Sequence, residues 1–183
     1  MSETDANYLE LFPAWLRSLD DDAEALGAVV ADPAASEAAR ALIAGGLNYM
    51  FKSLDLIPDG IDDIGYLDDA FVLRVAADRA MHEDVSELEP DKLRTLNRLS
   101  ADAEVIHAFL GEDYPRLDDY VVSLRKAPAR GRSVPDILAD EPTQKAFLAD
   151  IRGFAQSYEP PAFERDEKNL VKLRAFFDAK LPK

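Results

Sequence analysis

Six aspartates lie in the segment from Ser53 to Asp69, which reads SLDLIPDGIDDIGYLDD. Carboxylates gathered in one compact turn repel one another unless cations or backbone N–H groups lie between them. Hard cations such as Mg²⁺ and Ca²⁺ prefer oxygen ligands of this kind. The segment is therefore a candidate metal site, and its candidate ligands are Asp55, Asp59, Asp62, Asp63, Asp68 and Asp69.

The spacing of these aspartates does not match an EF-hand loop. Aligning Asp55, Asp59 and Gly60 with positions 1, 5 and 6 of that loop leaves Ile57 at position 3 and Tyr66 at position 12. Neither a P-loop nor a dinucleotide-binding turn is present. The chemistry of the side chains favours a cation, but their spacing does not specify one.

A structural role for the same aspartates is the alternative. Proline and glycine in the segment from Ile57 to Gly60 occupy the places that a type I turn favours. Asp68 and Asp69 fall near a predicted helix start, where carboxylates accept unpaired backbone N–H groups. In this interpretation the aspartates cap turns and helices, and the protein needs no cofactor.

Other residues offer little catalytic chemistry. The two histidines, His82 and His107, have no zinc-ligand spacing, no serine lies in a GxSxG motif, and there is no cysteine. The one basic cluster consists of Arg125, Lys126, Arg130 and Arg132. In one interpretation the cluster is a solvated linker or an intramolecular partner for acidic groups. In the other it is an anion or phosphate site, in which Arg130 or Arg132 contacts the anion.

The elements that must position these residues are helices. Apolar residues recur at spacings of three and four, and no alternating β-branched run is present, which predicts an all-α bundle of about seven to eight helices. We expect one domain over residues 1–183, with a helical hairpin at 39–80 and a candidate C-terminal helical extension at 128–183. The predicted helices span residues 7–19, 20–30, 34–52, 66–83, 90–111 and 113–126, with two more around 147–158 and 170–177.

Three details of this assignment can be checked. Pro13 predicts a kink or boundary after the first helical turns, and Asp20 to Asp22 predict the cap of a second helix. The pair Gly45-Gly46 inside the third helix indicates plain close helix packing or, alternatively, another backbone that passes close by. Arg74 and Asp78 are spaced to form an i,i+4 ion pair.

The central segment resembles a known family. The run from Tyr49 to Asp59 (YMFKSLDLIPD), followed by Ile61 and by GYLDD, is similar to the signature of the YkvA-like family, also called the DUF1232 domain. The similarity covers about residues 39–80. Its motif positions here are Asp55, Pro58, Asp59, Gly65, Asp68 and Asp69. Ser53 and Asp62 stand where the family usually has proline, which makes this turn less rigid and more acidic.

The resemblance implies a small helical hairpin with no established activity. It also implies membrane association in some relatives. This chain itself has no apolar run of the roughly 20 residues that a membrane-spanning helix needs, and its acidic N-terminus is unlike a signal peptide. We therefore expect a soluble cytoplasmic protein.

The net charge is −15 and lies mostly in the first half, where residues 1–84 hold 5 basic and 18 acidic side chains. Such a surface repels nucleic acid and favours cations or basic partners. Our first hypothesis is a non-enzymatic protein-interaction or scaffold module, with oligomerisation through helix 90–111 as an option. The alternative is a Mg²⁺- or Ca²⁺-dependent activity on a phosphorylated or other anionic substrate.

Overall fold

The computed structural model of the protein describes residues 1–53, 55–58, 60–61 and 64–183. Within these residues the only β-structure is one antiparallel bridge, between Ala129 and Arg132. The all-α prediction of about seven to eight helices is confirmed. The helices are α1 (Glu3–Val30), α2 (Glu37–Tyr49), α3 (Leu67–Met81), α4 (Pro90–Leu110), α5 (Tyr114–Ser123), α6 (Val134–Ala139), α7 (Glu141–Ser157) and α8 (Glu167–Lys180).

Helix α1 is a single helix that contains Pro13, so the predicted boundary after the first turns is wrong. A proline inside a helix costs about 3 kcal/mol. Burying each large apolar side chain contributes about 1.5–3 kcal/mol, and α1 buries such residues on both sides of the proline. Their burial therefore outweighs the cost of Pro13. They include Leu9, Phe12, Trp15, Leu16, Leu19 and Leu26.

Helices α2 and α3 pack against each other, and the aspartate-rich segment connects them along the chain. A Cβ added to Gly45 would lie 3.1 Å from the backbone of Leu124 and Arg125, and one added to Gly46 would lie 2.9 Å from the Cβ of Ala76. The predicted close approach of another backbone is confirmed at Gly45. Gly46 instead allows α3 to approach α2.

A buried ion-pair network joins α1, α3 and α4. Arg74 is 0% exposed, and its guanidinium contacts Asp22 at 3.3 Å and Asp102 at 2.9 Å. Arg98 also pairs with Asp22, at 2.6 Å. The predicted pair between Arg74 and Asp78 is therefore wrong, and Asp22 is an interior ion-pair partner rather than a helix cap.

Every helix contributes apolar residues to one hydrophobic cluster that runs from Tyr8 to Leu181. The contribution of α4 to this cluster includes Leu96, Leu99, Ile106 and Leu110. None of the helices within the described ranges has the length and apolar character that crossing a bilayer requires. The division into a hairpin at 39–80 and an extension at 128–183 stays a prediction.

Candidate functional site

The aspartate-rich turn connects α2 to α3, and the structure describes three of its six aspartates. Asp68 and Asp69 lie in the first turn of α3 and are buried, and Asp55 is half-buried before the turn. The other candidate ligands, Asp59, Asp62 and Asp63, lie outside the described residues. A hydrogen bond of 3.0 Å from the Ile61 N–H to the Pro58 carbonyl closes a turn here.

Asp68 connects the start of α3 to the turn and to the end of α2. Its Oδ2 accepts a 2.5 Å hydrogen bond from the hydroxyl of Tyr49 and a 3.2 Å hydrogen bond from the N–H of Ile57. The Tyr49 hydroxyl in turn accepts the N–H of Leu56 at 2.7 Å. One carboxylate and one phenol therefore hold two successive N–H groups of the turn.

Burial keeps Tyr49 protonated as a donor. Removal from water raises the pKa of the Tyr49 hydroxyl, and the negative charge of Asp68 raises it further. A protonated phenol can donate to the carboxylate at any pH near neutrality. The Tyr49–Asp68 contact is thus a stable hydrogen bond rather than a proton-transfer pair.

The start of α3 has an unusual N-cap. The N-cap of α3 is Tyr66, which makes no side-chain capping bond, and Asp68 accepts an N–H of the turn. Tyr66 has a left-handed backbone, with φ 69°, which is uncommon for a bulky residue. Its ring packs 5.4 Å from that of Tyr158 and 6.1 Å from that of Phe154. Phe154 of α7 and Tyr158, the C-cap of α7, therefore pack against the residue that precedes α3.

The prediction of a metal site stays a prediction. Among the described residues, no three His, Asp or Glu side chains gather in a way that could hold a metal ion. Asp59, Asp62 and Asp63 lie outside those residues. In the described part of the turn, Asp68 Oδ2 accepts hydrogen bonds from Tyr49 and Ile57.

The basic cluster divides into separate environments. Arg132 and Arg130 both contact Asp150 of α7, at 2.7 and 3.3 Å, so the two arginines have an intramolecular carboxylate partner. Both guanidiniums also lie over the ring of Phe51, at 4.8 Å for Arg130 and 5.5 Å for Arg132. Arg125 donates to the carbonyl of Val122.

Sequence reasoning missed two groups that this arrangement brings together. Phe51 was noted only as part of the family signature, yet it lies beneath two arginines that are distant in sequence. Tyr49 was not singled out as a partner of Asp68. Its position at the end of the alanine-rich helix α2, 19 residues before the aspartate, was the only available signal.

A comparison with protein-family models matches residues 39–74 to the family described as "Protein of unknown function (DUF1232)". The match confirms the resemblance over α2, the turn and the first half of α3. It includes both Tyr49 and Asp68, and it ends at the buried Arg74. No curated protein and no solved structure matches the chain significantly.

Proposed function

We propose that the chain is a non-catalytic binding protein in which the helical hairpin of residues 39–80 is a rigid platform for a protein partner. The observation that carries the proposal is the environment of Asp68. This carboxylate is 0% exposed and accepts hydrogen bonds from Tyr49 and from the turn backbone. An aspartate used in this way fixes the shape of the turn.

The energetics support a structural role for the pair. A hydrogen bond to a charged group contributes about 1.5–3 kcal/mol, and a buried N–H without a partner costs about 1–3 kcal/mol. Tyr49 and Asp68 remove that cost for Leu56 and Ile57. The presence of both residues in the family-matching segment is therefore accounted for by folding.

The surface beside the hairpin supports a binding role. Phe51 and Arg130 line two grooves, of about 500 and about 350 Å³. Aromatic and arginine side chains are enriched at the centres of protein interfaces. The hairpin thus ends at a surface whose composition suits a protein partner.

The competing proposal is a metal-dependent activity at the turn, and thermal unfolding with and without millimolar Mg²⁺, Ca²⁺ or Mn²⁺ separates the two. Our proposal expects Asp68→Asn to lower the melting temperature by the same amount in EDTA and in each cation. Asp119→Asn, which removes an exposed carboxylate from α5, is the control and should melt like the wild type.

A saturable cation effect would overturn the proposal. A cation that binds the folded state at one hundred times its Kd adds about 2.7 kcal/mol to the free energy of unfolding. If the wild type gains such stability and Asp68→Asn loses that gain, the turn is a metal site. The search should then move to phosphorylated and other anionic substrates.

A further inference from the structure

A surface groove runs between the end of α2 and the turn that follows α5. It has a volume of about 500 Å³ and is lined by Phe51, Lys52, Ser53 and residues 128–131, and we call it the Arg130 groove. Pockets that bind ligands have volumes of about 300–1,000 Å³. The Arg130 groove is therefore large enough for several side chains or a small ligand.

The turn that carries Arg130 has an unfavourable backbone conformation. Arg130 and Gly131 have φ values of 50° and 72°, and two hydrogen bonds of 3.0 and 3.1 Å between Ala129 and Arg132 close the turn. A left-handed conformation costs a non-glycine residue roughly 1–2 kcal/mol, and asparagine or glycine would fit more easily. Arginine at this position is thus a cost to folding that a binding role would explain.

The surroundings fix where the Arg130 side chain lies. The side-chain amide of Asn48 donates to the Arg132 carbonyl at 3.3 Å, which ties the turn to α2. Arg130 then lies over the ring of Phe51 while 56% of its side chain stays exposed. A guanidinium that is positioned in this way but remains exposed can bind a ligand with little loss of conformational entropy.

The groove carries excess positive charge on an acidic chain. Arg130 and Arg132 share the single carboxylate of Asp150. Lys52 makes its polar contact with the neutral hydroxyl of Tyr120, at 3.2 Å, and has no carboxylate partner among the residues that the structure describes. The charge of these lining cations is opposite in sign to the net charge of the whole chain, which is −15.

The floor of the groove is apolar, because it includes the ring of Phe51 and the side chains of Pro128 and Ala129. A ligand that matches both features has a negative group beside an apolar one. From this combination we propose that the Arg130 groove binds a segment of a partner protein in which Asp or Glu adjoins an aromatic or aliphatic residue. The inference rests on the proposed function and names the chemistry of its partner.

Two other anionic ligands fit less well. An inorganic anion would contact the cations but leave the apolar floor uncovered. An anionic membrane would meet the strongly acidic first half of the chain, which contributes most of the negative charge and repels it. A short segment with acidic and apolar residues can pair with the cations and cover the apolar floor at the same time. Salt screens charges over about 8 Å at physiological ionic strength, which limits the repulsion between this short segment and the acidic residues of the chain.

The test is a titration of the full chain with a synthetic peptide in which Asp-Asp-Phe is repeated four times. Calorimetry and the backbone amide NMR signals measure the binding. We expect saturable binding that shifts the amides of Phe51, Lys52 and Gly131. Lys52→Gln combined with Arg130→Asn should weaken binding at least tenfold. Asparagine tolerates the left-handed backbone at position 130, so this variant keeps its fold.

The control for charge is Lys168→Gln combined with Lys180→Gln, which removes two exposed lysines from α8. This variant should bind the peptide like the wild type. Peptides with Asn-Asn-Phe or Asp-Asp-Ala repeats should bind at least tenfold more weakly than the first peptide. Raising the salt from 50 to 200 mM should weaken the binding, since its specificity depends on charge.

Several results would overturn the inference. One is that the wild type does not bind the Asp-Asp-Phe peptide. A second is that the α8 control variant loses as much affinity as the Lys52→Gln/Arg130→Asn variant. A third is that the wild type binds the Asn-Asn-Phe peptide as tightly as the Asp-Asp-Phe peptide. Binding to vesicles of equal phosphatidylglycerol and phosphatidylcholine that depends on Lys52 and Arg130, without peptide binding, would assign the groove to a membrane. Saturation by inorganic phosphate alone would assign it to a simple anion. Each of these leaves the cation-dependence test of the proposed function unaffected.

Discussion

At the scale of single residues, the role of Asp68 depends on the groups that surround it. In the sequence it is one of six aspartates that could bind a cation, whereas in the fold it accepts hydrogen bonds from Tyr49 and the N–H of Ile57. The residue type alone supports both roles. The hydrogen bond from Tyr49 supports the structural role for Asp68, and spacing along the chain does not identify that partner.

Tyr114 should make stability depend on alkaline pH. Burial, together with the charges of Asp118 and Asp78, raises the pKa of Tyr114 to about 12, against about 10 in an unfolded chain. The folded state therefore holds this proton more tightly. Its contribution to stability is complete below pH 10 and is lost as the pH rises to 12.

The variant Tyr114→Phe isolates this effect, because it keeps the ring that stacks on His107. Urea unfolding from pH 8 to pH 12 should show that the variant loses less stability than the wild type above pH 10. The two proteins should respond to pH in the same way between pH 8 and pH 9.5. Parallel curves up to pH 12 would show that Tyr114 does not make this contribution.

At the scale of the elements, two glycines set how closely α2 packs. Gly45 meets the backbone of Leu124 and Arg125, which cannot move aside as a flexible side chain can. Its occurrence inside a helix predicted a close approach, and that prediction is confirmed. The identity of the approaching segment was not predictable, because Leu124 lies 79 residues further along the chain.

Substituting glycines in α2 and α7 should have opposite effects. Gly45→Ala should lower the free energy of unfolding by about 1–3 kcal/mol, as overpacking does. Gly153→Ala places its Cβ in open space, so it should raise stability by about 0.5–1 kcal/mol through helix propensity alone. Urea unfolding measures both, and a gain in stability for Gly45→Ala would contradict the close packing.

The boundaries of the elements were predictable where a local signal coincided with the packing. Glu89-Pro90 and Gly111 bracket α4, and the predicted span of 90–111 agrees with Pro90–Leu110. Pro13 was misleading because tertiary burial overrides a local breaking signal. Helix α6 was not predicted, because its six residues are too few to show the spacing of apolar residues that identifies a helix.

At the scale of the whole molecule, Arg74 connects three helices from the interior. Burial lowers the pKa of its guanidinium, and the carboxylates of Asp22 and Asp102 oppose that effect. The guanidinium also lies 4.4 Å from the ring centroid of Trp15. This network was hidden in the sequence because its members are separated by 28 and 52 residues.

Loss of Arg74 should be severe. Arg74→Met removes the fully buried cation that pairs with both Asp22 and Asp102, and it should cost about 3–5 kcal/mol. Arg79→Met removes an ion pair with Asp118 that is partly exposed, and it should cost about 1 kcal/mol or less. Urea unfolding of both variants checks the difference. Equal losses would contradict the central place of Arg74 in the fold.

The central claim is that Tyr49 and Asp68 hold the turn without a bound cation, and amide hydrogen exchange at Leu56 and Ile57 tests it most directly. In EDTA both amides should be protected in the wild type. In Tyr49→Phe the Leu56 amide should exchange at least tenfold faster, while Tyr114→Phe, as a control, leaves it unchanged. Unprotected amides in the wild type, or protection that requires Mg²⁺ or Ca²⁺, would contradict the claim.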